Sequence, residues 1–116
     1  MDVHVLTTTP RNTVAVSGTG VVLTCGIENR NASVQLQWHW CTPNCSEKKT
    51  IYNGLTVGGD IIRDYNLAFR NDGYKMDLII TNSQSLHAGT YDCSSGSDSE
   101  TPTAQLVVLG MYFHIF

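Results

Sequence analysis

A chain of 116 residues has room for one domain with a modest core. Its charge balance, 7 Lys and Arg against 10 Asp and Glu for a net of −3, offers no basic field to a nucleic-acid backbone, and no apolar run is long enough for a helix to cross a bilayer. Four cysteines, an even number in so short a chain, read as two disulfides formed in an oxidising compartment. No secretory leader is visible at Met1-Asp2, and with no bilayer-length apolar run a membrane anchor, if the protein has one, is expected outside this stretch.

In chain order, residues 3–6 read as a short first strand and residues 7–12 as a break around Pro10, which a strand tolerates only at an edge. Pairing resumes over residues 13–16, with Val14 and Val16 on one face. After a turn at 17–20, the run 20–27 turns Val21, Leu23 and Cys25 inward together. Residues 28–33 form a polar loop. In the strand 34–41, Val34, Leu36, Trp38 and Trp40 share one face, and Gln35, Gln37, His39 and Cys41 share the other. Parity alone does not say which tryptophan is the core one.

Residues 48–53 read as the next strand, closed by the Asn53-Gly54 turn signal, and 55–59 as a short extra strand. A strand within 61–69 places Leu67 and Phe69 inward, and Asp72-Gly73 is a hairpin turn. The following run, 74–81, turns Met76, Leu78 and Ile80 inward. Residues 82–88 are a crossover with room for one 3₁₀ turn, 90–94 a strand, 95–102 a small polar loop, and 103–109 the last strand, with Leu106 and Val108 inward. The tail 111–116, MYFHIF, is mostly apolar and has no assigned role. Short strands spaced about 8–12 residues apart, with turn signals between them, point to an all-β sandwich.

The segment LHAGTYDC, residues 86–93, is the most informative stretch. Gly89 marks a tight corner, and Tyr91 and Cys93, two apart, face one core. Together with Cys25 in GVVLTCGI and Trp38 in VQLQWHW, it gives the order Cys, Trp, Gly-x-Tyr-x-Cys. In that order the chain resembles a variable-type (V-set) domain of the immunoglobulin superfamily, over roughly residues 3–109. The resemblance implies an immunoglobulin-like antiparallel β-sandwich with V-type Greek-key topology, residues 1–110 as one domain, and 111–116 as the tail. It also implies a Cys25–Cys93 inter-sheet disulfide, which leaves Cys41 to pair with Cys45, a tyrosine corner at Tyr91, and a core of Trp38, Tyr91, Leu78 and Ile80. Trp38 is preferred to Trp40 because its distance from Cys25 is the commoner one in the family.

Two family features are replaced. His87 stands where most V-set domains carry an Asp paired with an Arg; that ion pair is expected to be absent, through drift of a structural latch, or replaced by a neutral hydrogen bond, with a pH-sensitive latch as the lesser reading. Glu100-Thr101-Pro102-Thr103 stands where antigen-receptor domains carry Phe-Gly-x-Gly, which argues against an antibody-like paired dimer. Trp40-Cys41 followed by Cys45 is similar to the polymeric immunoglobulin receptor family, in which a second disulfide stiffens the same strand end. A zinc site from His39, Cys41 and Cys45 would lack a fourth ligand, so no metal and no cofactor is expected.

No nucleophile lies beside a base and an orienting acid, no carboxylates are paired, and Val57-Gly58-Gly59-Asp60 lacks the lysine and helix of a phosphate loop. The chain is therefore read as a non-enzymatic recognition module of an extracellular, immune-type or cell-surface receptor. It would bind a protein or glycan through its end loops (28–33, 53–59, 94–101) or its front sheet. Gln37, His39, Tyr52, Asp92, Ser95 and Asp98 are the candidate ligand or dimer surface. Trp40 is a further anchor, unless it packs the sandwich. Asn31 and Asn44 head glycosylation sequons. The alternatives are a homophilic adhesion domain, dimeric through the front sheet, and a secreted lectin-like effector.

Overall fold

The computed structural model describes residues 6–27, 36–42, 48–52, 65–70, 75–94 and 101–110, with the backbone alone at 6, 7, 27 and 66–70. Its strands are β1 (Leu6–Thr8), β2 (Thr13–Val16), β3 (Val21–Leu23), β4 (Gly26–Ile27), β5 (Gln37–Cys41), β6 (Lys48–Tyr52), β7 (Tyr65–Arg70), β8 (Lys75–Ile80), β9 (Gly89–Ser94) and β10 (Thr103–Leu109), with one 3₁₀ turn at Ser85–His87. They form two five-stranded sheets. The back sheet runs β1-β4-β8-β3, with β7 also paired to β8; the front sheet runs β2-β10-β9-β5-β6.

The first described strand, Leu6–Thr8, runs two residues into the expected break, and residues 3–5 lie outside the described residues. Two expectations are corrected. The run expected to be continuous over 20–27 divides at Thr24-Cys25 into β3 and β4. Cys25 lies in that gap, and its carbonyl still accepts from the Met76 N–H at 2.8 Å. The sandwich is also not antiparallel throughout: β2 pairs with β10 in parallel, Thr13 opposite Leu106 and Val16 opposite Leu109. Pro10 has no N–H to give a ladder, and it lies where the chain leaves β1 in the back sheet and crosses to β2 in the front.

The core lies between the sheets and is built by strand parity. Val21 and Leu23 of β3, Met76, Leu78 and Ile80 of β8, and Ala104 and Leu106 of β10 all point inward and are buried. Each aliphatic side chain so enclosed stabilises the fold by about 1.5–3 kcal/mol. Cys25 and Cys93 bridge the sheets with their Cα atoms 6.4 Å apart. Trp38 stands opposite Cys93 in register; it is completely buried, and its Nε1–H donates to the Met76 carbonyl across the sandwich at 3.2 Å.

Candidate functional site

The front sheet presents its second face to the outside, and β5, β6 and β9 place a polar cluster on it. His39 and Asp92 stand directly opposite one another in the β5–β9 ladder, and His39 Nδ1 lies 2.9 Å from Asp92 Oδ1. A carboxylate only accepts, so Nδ1 carries the hydrogen. Lys48, on the far side of β5, brings Nζ to 3.1 Å from the other carboxylate oxygen. One carboxylate thus ties three strands together. Although it faces outward, Asp92 is only 7% exposed, whereas the Lys48 side chain is 57% exposed. The cluster is consequently held in place at its centre and open at its rim. Preorganisation of that kind lowers the ordering cost of binding.

Gln37, half-buried on β5 and opposite Ser94, continues the same face. Tyr52 is placed differently. It is half-buried and packs against the core, so one side of its ring is committed to the sandwich. Trp40 also packs on the core, and its Nε1–H donates to the Ala88 carbonyl at 3.2 Å. Cys41 is disulfide-bonded, which removes it as a thiolate ligand; its expected partner Cys45 lies outside the described residues, as do Asn31, Asn44, Ser95, Asp98, most of the three end loops and the tail. Lys48 was not among the candidates, because linking it to Asp92 requires the order of β6, β5 and β9, which local sequence does not carry.

A second cluster lies inside the sandwich, beside the 3₁₀ turn that precedes β9. The Tyr91 hydroxyl donates to the His87 carbonyl at 2.6 Å. Its one proton is committed there, so at 2.7 Å from Tyr65 Oη it accepts and Tyr65 donates. Burial pushes the Tyr65 hydroxyl up to about 12, and burial also drives the Tyr91 hydroxyl well above its ordinary value. His87 is completely buried. Its ring meets that of Tyr65 edge-on, with centroids 5.4 Å apart, and its Nδ1 accepts from the Gln84 N–H at 2.9 Å. A neutral hydrogen bond therefore occupies the position where the family pattern places an acid.

Two facing sheets, a disulfide through their middle, an indole against it, and a tyrosine hydroxyl bracing the turn before the second cysteine define an immunoglobulin-type β-sandwich. The immunoglobulin-domain family model matches residues 5–95, and the chain belongs to that family. A comparison with curated proteins found no match. Membership marks a recognition or adhesion module, a role most often carried by disulfide-bonded extracellular domains.

Proposed function

We propose that this chain is a variable-type, extracellular, non-enzymatic recognition domain. It binds a protein ligand through the outer face of the front sheet, centred on His39 and Asp92 and flanked by Gln37 and Lys48. The observation that carries this reading is the outward-facing yet nearly enclosed Asp92 carboxylate, held by His39 and Lys48 from two neighbouring strands. A carboxylate with no role beyond solubility does not need two partners. The variable type is supported by β6, which extends the front sheet beyond β5. In this reading Cys41 pairs with Cys45, Asn31 bears a glycan, and Ser95 and Asp98 contribute at the loop rim.

The test is to stain a panel of cell surfaces with a labelled multimer of the domain. Asp92→Asn and His39→Ala should each lose most of the staining while remaining folded at the staining temperature, and undiminished staining by both would overturn the site. Retained binding to a glycan array would make the ligand a glycan. A mass that rises with concentration and collapses in the same variants would identify homophilic adhesion.

A further inference from the structure

The crossover between β8 and β9 holds a histidine that the fold keeps neutral. His87 closes the 3₁₀ turn Ser85–His87 and is completely buried. Its Nδ1 accepts from the Gln84 N–H at 2.9 Å. A backbone N–H only donates, so Nδ1 carries no hydrogen, and the proton of the neutral ring sits on Nε2. An imidazolium carries hydrogens on both nitrogens. Protonation in place would set two donors against each other at Nδ1 and put a charge where water does not reach, and both are costly. Opening the turn is cheaper. Ser85 and Leu86, between Gln84 and His87, are exposed. The turn's own backbone bonds run from the His87 N–H to the Gln84 carbonyl at 2.8 Å and from the Ala88 N–H to the Ser85 carbonyl at 3.1 Å. A short exposed turn of this kind belongs to the part of a fold that opens most readily.

We propose that His87 is an acid-operated latch: as the medium turns acidic the ring takes a proton, leaves its site, and opens the crossover from Gln84 to Ala88 while the strands on either side stay paired. The sign follows from linkage. Only the open form binds the extra proton, and a histidine in water titrates near 6.5, so the open fraction grows about tenfold for each pH unit below that value. Among the described residues, the titratable groups that face His87 are Tyr65 of β7, edge-on to its ring, and Tyr91 of β9, whose hydroxyl donates to its carbonyl. Burial raises both hydroxyls, so both stay neutral in acid. His39, Lys48 and Asp92 stand together on the outer face of the front sheet. Lys75 and Asp77 alternate with the inward residues of β8 and so belong to the outer face of the back sheet. β2, β10 and the run from Asn82 to Leu86 carry no titratable side chain. Because His87 lies inside the sandwich, this inference does not rest on the binding role proposed above.

Amide exchange of the full chain, read by NMR and divided by the rate of an unstructured peptide at each pH, tests it. From about pH 7.5 to about pH 5 the relative exchange of the Gln84, His87 and Ala88 amides should rise about thirtyfold, while the amides of β8 hold steady. A flat profile in the turn would mean that the fold accommodates the imidazolium, and an equal rise in β8 would mean that the whole sandwich yields; either overturns the proposal. In His87→Asn the side-chain oxygen can accept the same N–H and takes no proton, so the acid rise should disappear; a rise as large as in the wild type would overturn the latch. Should that variant fail to fold, the wild-type profile decides, together with the nitrogen shifts of its His87 ring. Those shifts should show a hydrogen on Nε2 and none on Nδ1 at neutral pH, and the opposite tautomer would also overturn the proposal.

Discussion

At the scale of single residues, two glycines make opposite demands on space. Gly89 has φ +148°, and a Cβ placed there would collide with the Cys41 carbonyl and come within 2.6 Å of Trp40 Nε1. Gly18 has φ +92°, but the nearest atom to an added Cβ is Asn82 Oδ1 at 3.9 Å. Strain in the backbone is common to both positions, and collision with another strand belongs to Gly89 alone. Gly18→Ala is expected to cost about 1–2 kcal/mol, and Gly89→Ala about 3 kcal/mol or more, since backbone and a packed indole must both give way. Urea unfolding of the two variants checks the order; equal losses would show that the Trp40 contact does not limit the site. A corner at Gly89 is legible from its place before Tyr-x-Cys. Its collision partner is not, because Trp40 reaches it only through the β5–β9 ladder.

At the scale of elements, the Tyr65–Tyr91 hydrogen bond ties β7 of the back sheet to β9 of the front. The Tyr65 hydroxyl titrates near 12 in the folded chain, above the ordinary tyrosine value near 10. Between those values the unfolded chain has released a proton that the folded chain keeps. Stability is therefore intact below about pH 10 and falls as pH rises toward about 12. Tyr91 is shifted the same way. Urea midpoints measured across that range should decline, and less steeply in Tyr65→Phe, which has no phenol to ionise; parallel declines would count against the assignment. Much at this scale follows from pattern alone. Alternation predicts which residues of β3, β8 and β10 point inward, and the Asn82–Ala88 crossover contains the 3₁₀ turn. Pattern fixes faces but not partners. The parallel union of β2 and β10, the division of the strand at Thr24-Cys25 and the arrival of Lys48 at Asp92 all depend on which strands become neighbours, and that is decided by the whole sandwich.

At the scale of the whole molecule, a domain of this size is stable by only about 5–15 kcal/mol, and one covalent link supplies a substantial part of that. Cys25 and Cys93 are 68 residues apart in sequence. In the chain-entropy account, closing a loop of that length restricts the unfolded chain and stabilises the fold by about 4 kcal/mol. Cys25→Ala/Cys93→Ala should therefore lose about 4 kcal/mol. Its denaturant slope should rise as well, because a chain without the cross-link expands further on unfolding and exposes more surface. The slope distinguishes two origins of the loss. If the staple acted only by filling space beside Trp38, the midpoint would fall while the slope stayed constant; a joint change places the effect in the unfolded ensemble. Urea unfolding of the variant beside the oxidised wild type reads both quantities. The same logic orders the tethers that cross the sandwich. The Tyr65–Tyr91 and Trp38–Met76 hydrogen bonds each contribute only about 1 kcal/mol net, so they adjust how the sheets face one another, while the disulfide keeps the pair together when either bond is lost.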